Sequence, residues 1–169
     1  MDDLRDRVRD GQSAFDKLLG ALPGFAGYKD REVRRTADKL LRDRLVTVLG
    51  GARRSVEQLR GRLAEAGDLR RLGEADTVGR RLEHLTDRIR YADYGYSGFF
   101  DALKLDSRAL DRLYDFDLAL LGRASRLADL AGQASAPDAQ GGALPAFAGE
   151  LEALHRVLDS RDDTARGIV

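Results

Sequence analysis

The chain contains no cysteine. That excludes disulfides, thiolate nucleophiles, iron–sulfur clusters and the commonest structural zinc sites. It also lacks any uninterrupted apolar run near the roughly 18–20 residues of a membrane-spanning helix. No segment alternates polar and apolar residues over the length of a strand, and β-branched residues are scarce, which argues against a sheet. Histidine occurs only 2 times and the formal net charge is zero. The opening residues, Met1-Asp2-Asp3-Leu4-Arg5-Asp6-Arg7, are too charged for a signal peptide. These absences lead to the expectation of a soluble, cytoplasmic protein.

What the chain has is helical periodicity. At 169 residues with 43% hydrophobic content, it is long enough to bury a core as one domain. Leu4, Val8, Phe15, Leu18, Leu19 and Leu22 fall on one helical face before Pro23 and Gly24 end the segment. A second stripe starts near Asp30, a good N-cap, and passes through Val33, Leu41, Leu45, Leu49, Val56, Leu59 and Leu63. This spacing predicts one long helix over about 30–66. Gly50 and Gly51 lie inside it, each costing about 1 kcal/mol relative to alanine. A kink or a close crossing is expected there, with a break into two helices as the alternative. Gly67-Asp68 reads as a C-cap and turn.

A third helix carries Leu69, Leu72, Ala75, Val78, Leu82, Leu85 and Ile89. A fourth begins at Asp106 or Ser107 and runs through Leu113, Leu121, Leu127 and Ala131. Residues 132–143 have the composition of a mobile loop, and a fifth helix follows Pro145. The expected fold is all-α, an antiparallel up-and-down bundle of four to five helices including the long one. Its expected extent is a single domain over 1–162, with 163–169 a disordered tail.

No pattern for catalysis or a cofactor emerges. Glu152 and His155 have the Glu-x-x-His spacing of di-iron bundles, but the second such motif and its accompanying glutamates are missing. No nucleophile elbow or phosphate-cradling glycine loop occurs. The expectation is no catalytic residue, no metal and no cofactor. Asp117 stands out among the aspartates because Phe116, Leu118 and Leu121 surround it in sequence. It reads as a paired structural group, with a functional acid as the alternative.

Two surface features bear on partners. The first is aromatic: Phe25 and Tyr28 lie in one glycine-containing stretch, and Tyr91, Tyr94, Tyr96, Phe99 and Phe100 in another. In an up-and-down bundle these two connections share an end, giving a composite aromatic surface. Rings there close the core or contact a partner, and the two roles are compatible. The binding candidates are Phe25, Tyr28, Tyr94, Tyr96, Phe99 and Phe100, facing a protein partner or a second copy of the chain.

The second feature is charge. Residues 1–92 carry 21 Lys/Arg against 16 Asp/Glu, and residues 93–169 carry 8 against 13, so the two parts are +5 and −5. Arg34, Arg35, Arg42, Arg53 and Arg54 on the long helix form the candidate basic surface, for an anionic membrane or nucleic acid. Interleaved acidic residues and the absence of a nucleic-acid-binding motif make nucleic acid the weaker of these partners.

Overall fold

The computed structural model describes residues 31–92, 107–137, 139 and 142–165, together with the helical positions Lys17 and Gly20. The described residues are all-helical and contain no strand. They form four long helices: α1 (Arg31–Glu65), α2 (Leu69–Arg90), α3 (Ser107–Ser135) and α4 (Ala143–Ala165). No described helix is long and apolar enough to cross a membrane. The helix expected over residues 4–22 lies outside the described residues, apart from Lys17 and Gly20.

Each helix buries one narrow stripe. In α2 the buried positions are Ala75, Val78, Leu82, Leu85 and Ile89, and in α4 they include Leu144, Phe147, Leu151, Leu154 and Leu158. Steps of three and four residues keep such side chains on one face, the spacing of helices packed at a shallow angle. The same alternation in α3 gives Leu113, Asp117, Leu120, Ala124, Leu127, Ala131 and Ala134, all buried. Seven aliphatic positions of α1, from Leu41 to Leu63, complete one continuous core.

The turn between α1 and α2 follows from two residues. Gly67 adopts a φ of +68°, a conformation that only glycine takes without steric cost. Its N–H bonds the Ala64 carbonyl at 3.1 Å and the Asp68 N–H bonds the Leu63 carbonyl at 2.9 Å, which together form a Schellman motif. The Asp68 side chain then accepts from the Arg71 N–H at 3.1 Å and so caps α2 as well.

Cross-helix pairs fix the directions. Arg53 meets Glu83 and Arg60 meets Asp76, so α1 and α2 are antiparallel. Arg161 meets Asp117 and Arg123 meets Glu150, so α3 and α4 are antiparallel too. His84 faces His155 and Arg88 bonds Asp159, so α2 and α4 run parallel. It follows that α1 and α3 also run parallel, and these two lie against each other. The molecule is thus two antiparallel hairpins set side by side. Consecutive described helices alternate in direction, while the seams between the hairpins, α1 with α3 and α2 with α4, join parallel neighbours.

Three boundaries differ from the expectation. Helix α1 continues unbroken through Gly50 and Gly51. No neighbour approaches within 4 Å of where a Gly50 Cβ would stand, and Gly51 would meet only Arg54 Nη2 at 3.8 Å, so no close crossing requires either glycine. Flanking burial of Leu45, Leu49, Ala52 and Val56 holds the helix through its weakest point. The stretch read as a loop over 132–143 is shorter, because α3 extends to Ser135 and α4 begins at Ala143 with Pro145 in its first turn. The expected tail is helical as far as Ala165, with Thr164 and Ala165 buried.

The glycine pair gives a direct test. Gly50→Ala and Gly51→Ala should each stabilise the protein by up to about 1 kcal/mol, since a helical alanine replaces a helical glycine in open space. Urea denaturation followed by circular dichroism measures this. Destabilisation by either alanine would show that the helix needs glycine there for a reason other than space.

Candidate functional site

One end of the molecule gathers the start of α1, the end of α2, the first part of α3 and the end of α4. Here the apolar stripes give way to a charged layer. Asp38 of α1, Asp117 of α3 and Arg161 of α4 are all buried, with exposures of 8%, 4% and 7%. Each continues the three-and-four spacing of its helix, so the backbone register carries it into the core. Arg161 Nε donates to Asp117 Oδ1, and Arg161 Nη2 donates to Asp38 Oδ1 at 2.8 Å. Asp38 Oδ2 in turn lies 2.9 Å from Arg42 Nη2, one helical turn along.

A chain of alternating charges, Arg42–Asp38–Arg161–Asp117, therefore ties three helices together. Burial pushes the Asp117 carboxyl above its ordinary range and Asp38 adds to this, while Arg161 pulls the other way. Asp117 is thus held as a partner of Arg161, the structural role expected of it.

Beside this layer a cavity of about 330 Å³ opens at the end of the bundle. Its walls are Leu41 and Leu45 of α1, Ile89 of α2, Leu120 of α3 and Leu158 of α4. Asp38, Arg42, Arg161, Arg88 and Asp162 give it a polar side, and Tyr91 and Ala92 stand at its edge. Tyr91 is 66% exposed, one of two large apolar or aromatic side chains so exposed among the described residues. Arg88 braces the rim by bonding Asp159 at 2.6 Å and Asp162 at 2.7 Å.

Both aromatic-bearing stretches connect to this end, since one precedes α1 and the other joins α2 to α3. Phe25, Tyr28, Tyr94, Tyr96, Phe99 and Phe100 themselves lie outside the described residues. Arg34 and Arg35 fall near the start of α1. The other basic candidates do not form one free surface. Arg42 belongs to the charged layer, with its side chain only 14% exposed. Arg53 bonds Glu83 of α2 at 3.0 Å, while Arg54 is exposed.

A second concavity lies in the seam between α2 and α4, where the imidazoles of His84 and His155 face each other with ring centroids 6.4 Å apart. Burial pushes the His155 pKa below its usual value, and the nearby Arg88 and His84 act in the same direction. The Arg81 carbonyl and Asp159 partly offset this. Among the described residues no three potential ligands are grouped to hold a metal.

Sequence reasoning missed Arg161 and the pairing of Asp38. The available signal was the register Leu144-Phe147-Leu151-Leu154-Leu158-Arg161, which carries an arginine into the core position. In class, the described chain is an all-helical protein made of two packed hairpins with a charged layer near one end. No protein-family model, no curated protein and no solved structure matches it.

Proposed function

We propose that the protein is a non-enzymatic helical interaction module that binds a protein partner at the end bearing the charged layer. In this reading it works in the cytoplasm. The observation that carries the proposal is the cavity bounded by Leu41, Leu45, Ile89, Leu120 and Leu158, with the exposed Tyr91 at its edge. A concave apolar surface with an adjacent ring suits an apolar side chain offered by a partner. The polar side of the cavity is internally matched in charge, which favours an uncharged anchor over an ionic one. Phe25, Tyr28, Tyr94, Tyr96, Phe99 and Phe100 extend the same surface in this reading.

The test is a comparative affinity capture with wild-type bait beside a Tyr91→Ala/Tyr96→Ala/Phe99→Ala bait, with thermal melts of both. A partner held by the wild type and lost by a variant of unchanged melting temperature supports the proposal. Sedimentation of the purified protein reports self-association through the same surface. If both folded baits retain the same partners and the same oligomeric state, the aromatic end is not the binding surface.

A further inference from the structure

The two hairpins meet more sparingly along α2 and α4 than along α1 and α3. This leaves a groove of about 570 Å³ walled by Arg80, Arg81 and His84 of α2 and by Leu151, Glu152 and His155 of α4. Its charges are unequal. Glu152 is bonded by Arg156 at 3.1 Å, so its charge is already matched. Arg88, at the end of the seam, is matched by Asp159 and Asp162. Arg80 and Arg81 are exposed and meet no carboxylate among the described residues; the only bond of the Arg80 side chain is a long one, 3.4 Å, to the Thr77 hydroxyl.

Two guanidinium groups therefore stand beside a pair of facing imidazoles over the buried side chain of Leu151. Imidazole and carboxylate are donors a transition metal would use, but a dication would meet two unmatched positive charges and a carboxylate already engaged. An anion meets the opposite field. Guanidinium forks match the oxygens of a phosphate, and the exposed His84 imidazole can offer an N–H donor, whereas His155 turns an N–H to the Arg81 carbonyl.

We propose that this groove is a binding site for a small phosphate-bearing anion, held by Arg80 and Arg81 with His84 as an additional donor and the His155 ring beside it. It lies along the flank of the molecule and is separate from the partner-binding end.

With only 2 histidines in the chain, side-chain NMR reads the site directly. Their signals are assigned with His84→Gln and His155→Gln. The full chain is titrated with inorganic phosphate, with phenyl phosphate, and with sodium chloride at matched ionic strength. The expected result is a saturable movement of both imidazole signals with phosphate and none with chloride. The Arg80→Gln/Arg81→Gln variant, altered only at exposed positions, should bind about tenfold more weakly or worse at an unchanged melting temperature. Tighter binding of phenyl phosphate would identify a phosphate monoester as the ligand, and equal binding would identify free phosphate. Two outcomes overturn the proposal: no saturable movement, or unchanged affinity in the double variant.

Discussion

Arg161→Met is expected to lower the free energy of unfolding by about 3–5 kcal/mol, among the larger single effects in the molecule. Methionine fills much of the same space, so little cavity is created. The loss arises because Asp117 keeps its buried position without the guanidinium that bonds it, and Asp38 loses one of its two arginine contacts. A buried carboxylate without a counter-charge is costly because few water dipoles remain to solvate it. The Asp117→Leu/Arg161→Met double variant removes one charge of each sign and leaves Asp38 with Arg42. It should recover much of the lost stability, since a buried ion pair replaced by apolar groups is often neutral. Urea unfolding of the two variants and of Asp117→Leu completes a double-mutant cycle, with an expected coupling of about 2 kcal/mol or more. A loss below about 1 kcal/mol for Arg161→Met would mean that water reaches the layer and that it does not hold the three helices in register.

Periodicity carries information that is local, and this governs what was legible before the structure. The long helix expected over 30–66 is found at Arg31–Glu65, because its apolar stripe and the following glycine are both local signals. Gly67 could be read as a terminator for the same reason: its φ of +68° is a property of one residue. Asp117 could be singled out by its apolar sequence neighbours. Its partner could not, since Arg161 lies 44 residues further on, and Asp38 lies 123 residues before Arg161. An arginine near a helix end reads as solvated, because arginine is rarely buried without a partner. Gly50 and Gly51 misled in the opposite sense. Their local helix penalty is real but small beside the burial of Leu45, Leu49, Ala52 and Val56. The parallel contact of α1 with α3 was beyond reach, since helical spacing says which face is buried and not which helix covers it.

Phe147→Ala is expected to cost about 3–5 kcal/mol, from lost burial and the void left by the ring. Phe147 is 0% exposed and is the largest fully buried side chain among the described residues. It sits in the second turn of α4, at the end of the molecule opposite the charged layer. Ala75 of α2 and Ala131 and Ala134 of α3, buried at 0%, 1% and 4% exposure, belong to the same end. Small side chains on the two helices that flank α4 leave room for a large ring beside Leu59 and Leu63 of α1, which are buried at the same end. Alanine at 147 would add another small side chain at that end, and the neighbouring leucines could fill the void only in part. Urea unfolding should show a lower midpoint with an unchanged slope, and Phe147→Leu should lose less. A loss under about 1 kcal/mol would show that the layer collapses onto the smaller side chain. The variant also separates stability from binding. At a temperature where it remains folded, any partner held at the opposite end should bind as it does to the wild type, because the substitution touches neither the cavity nor the charged layer beside it.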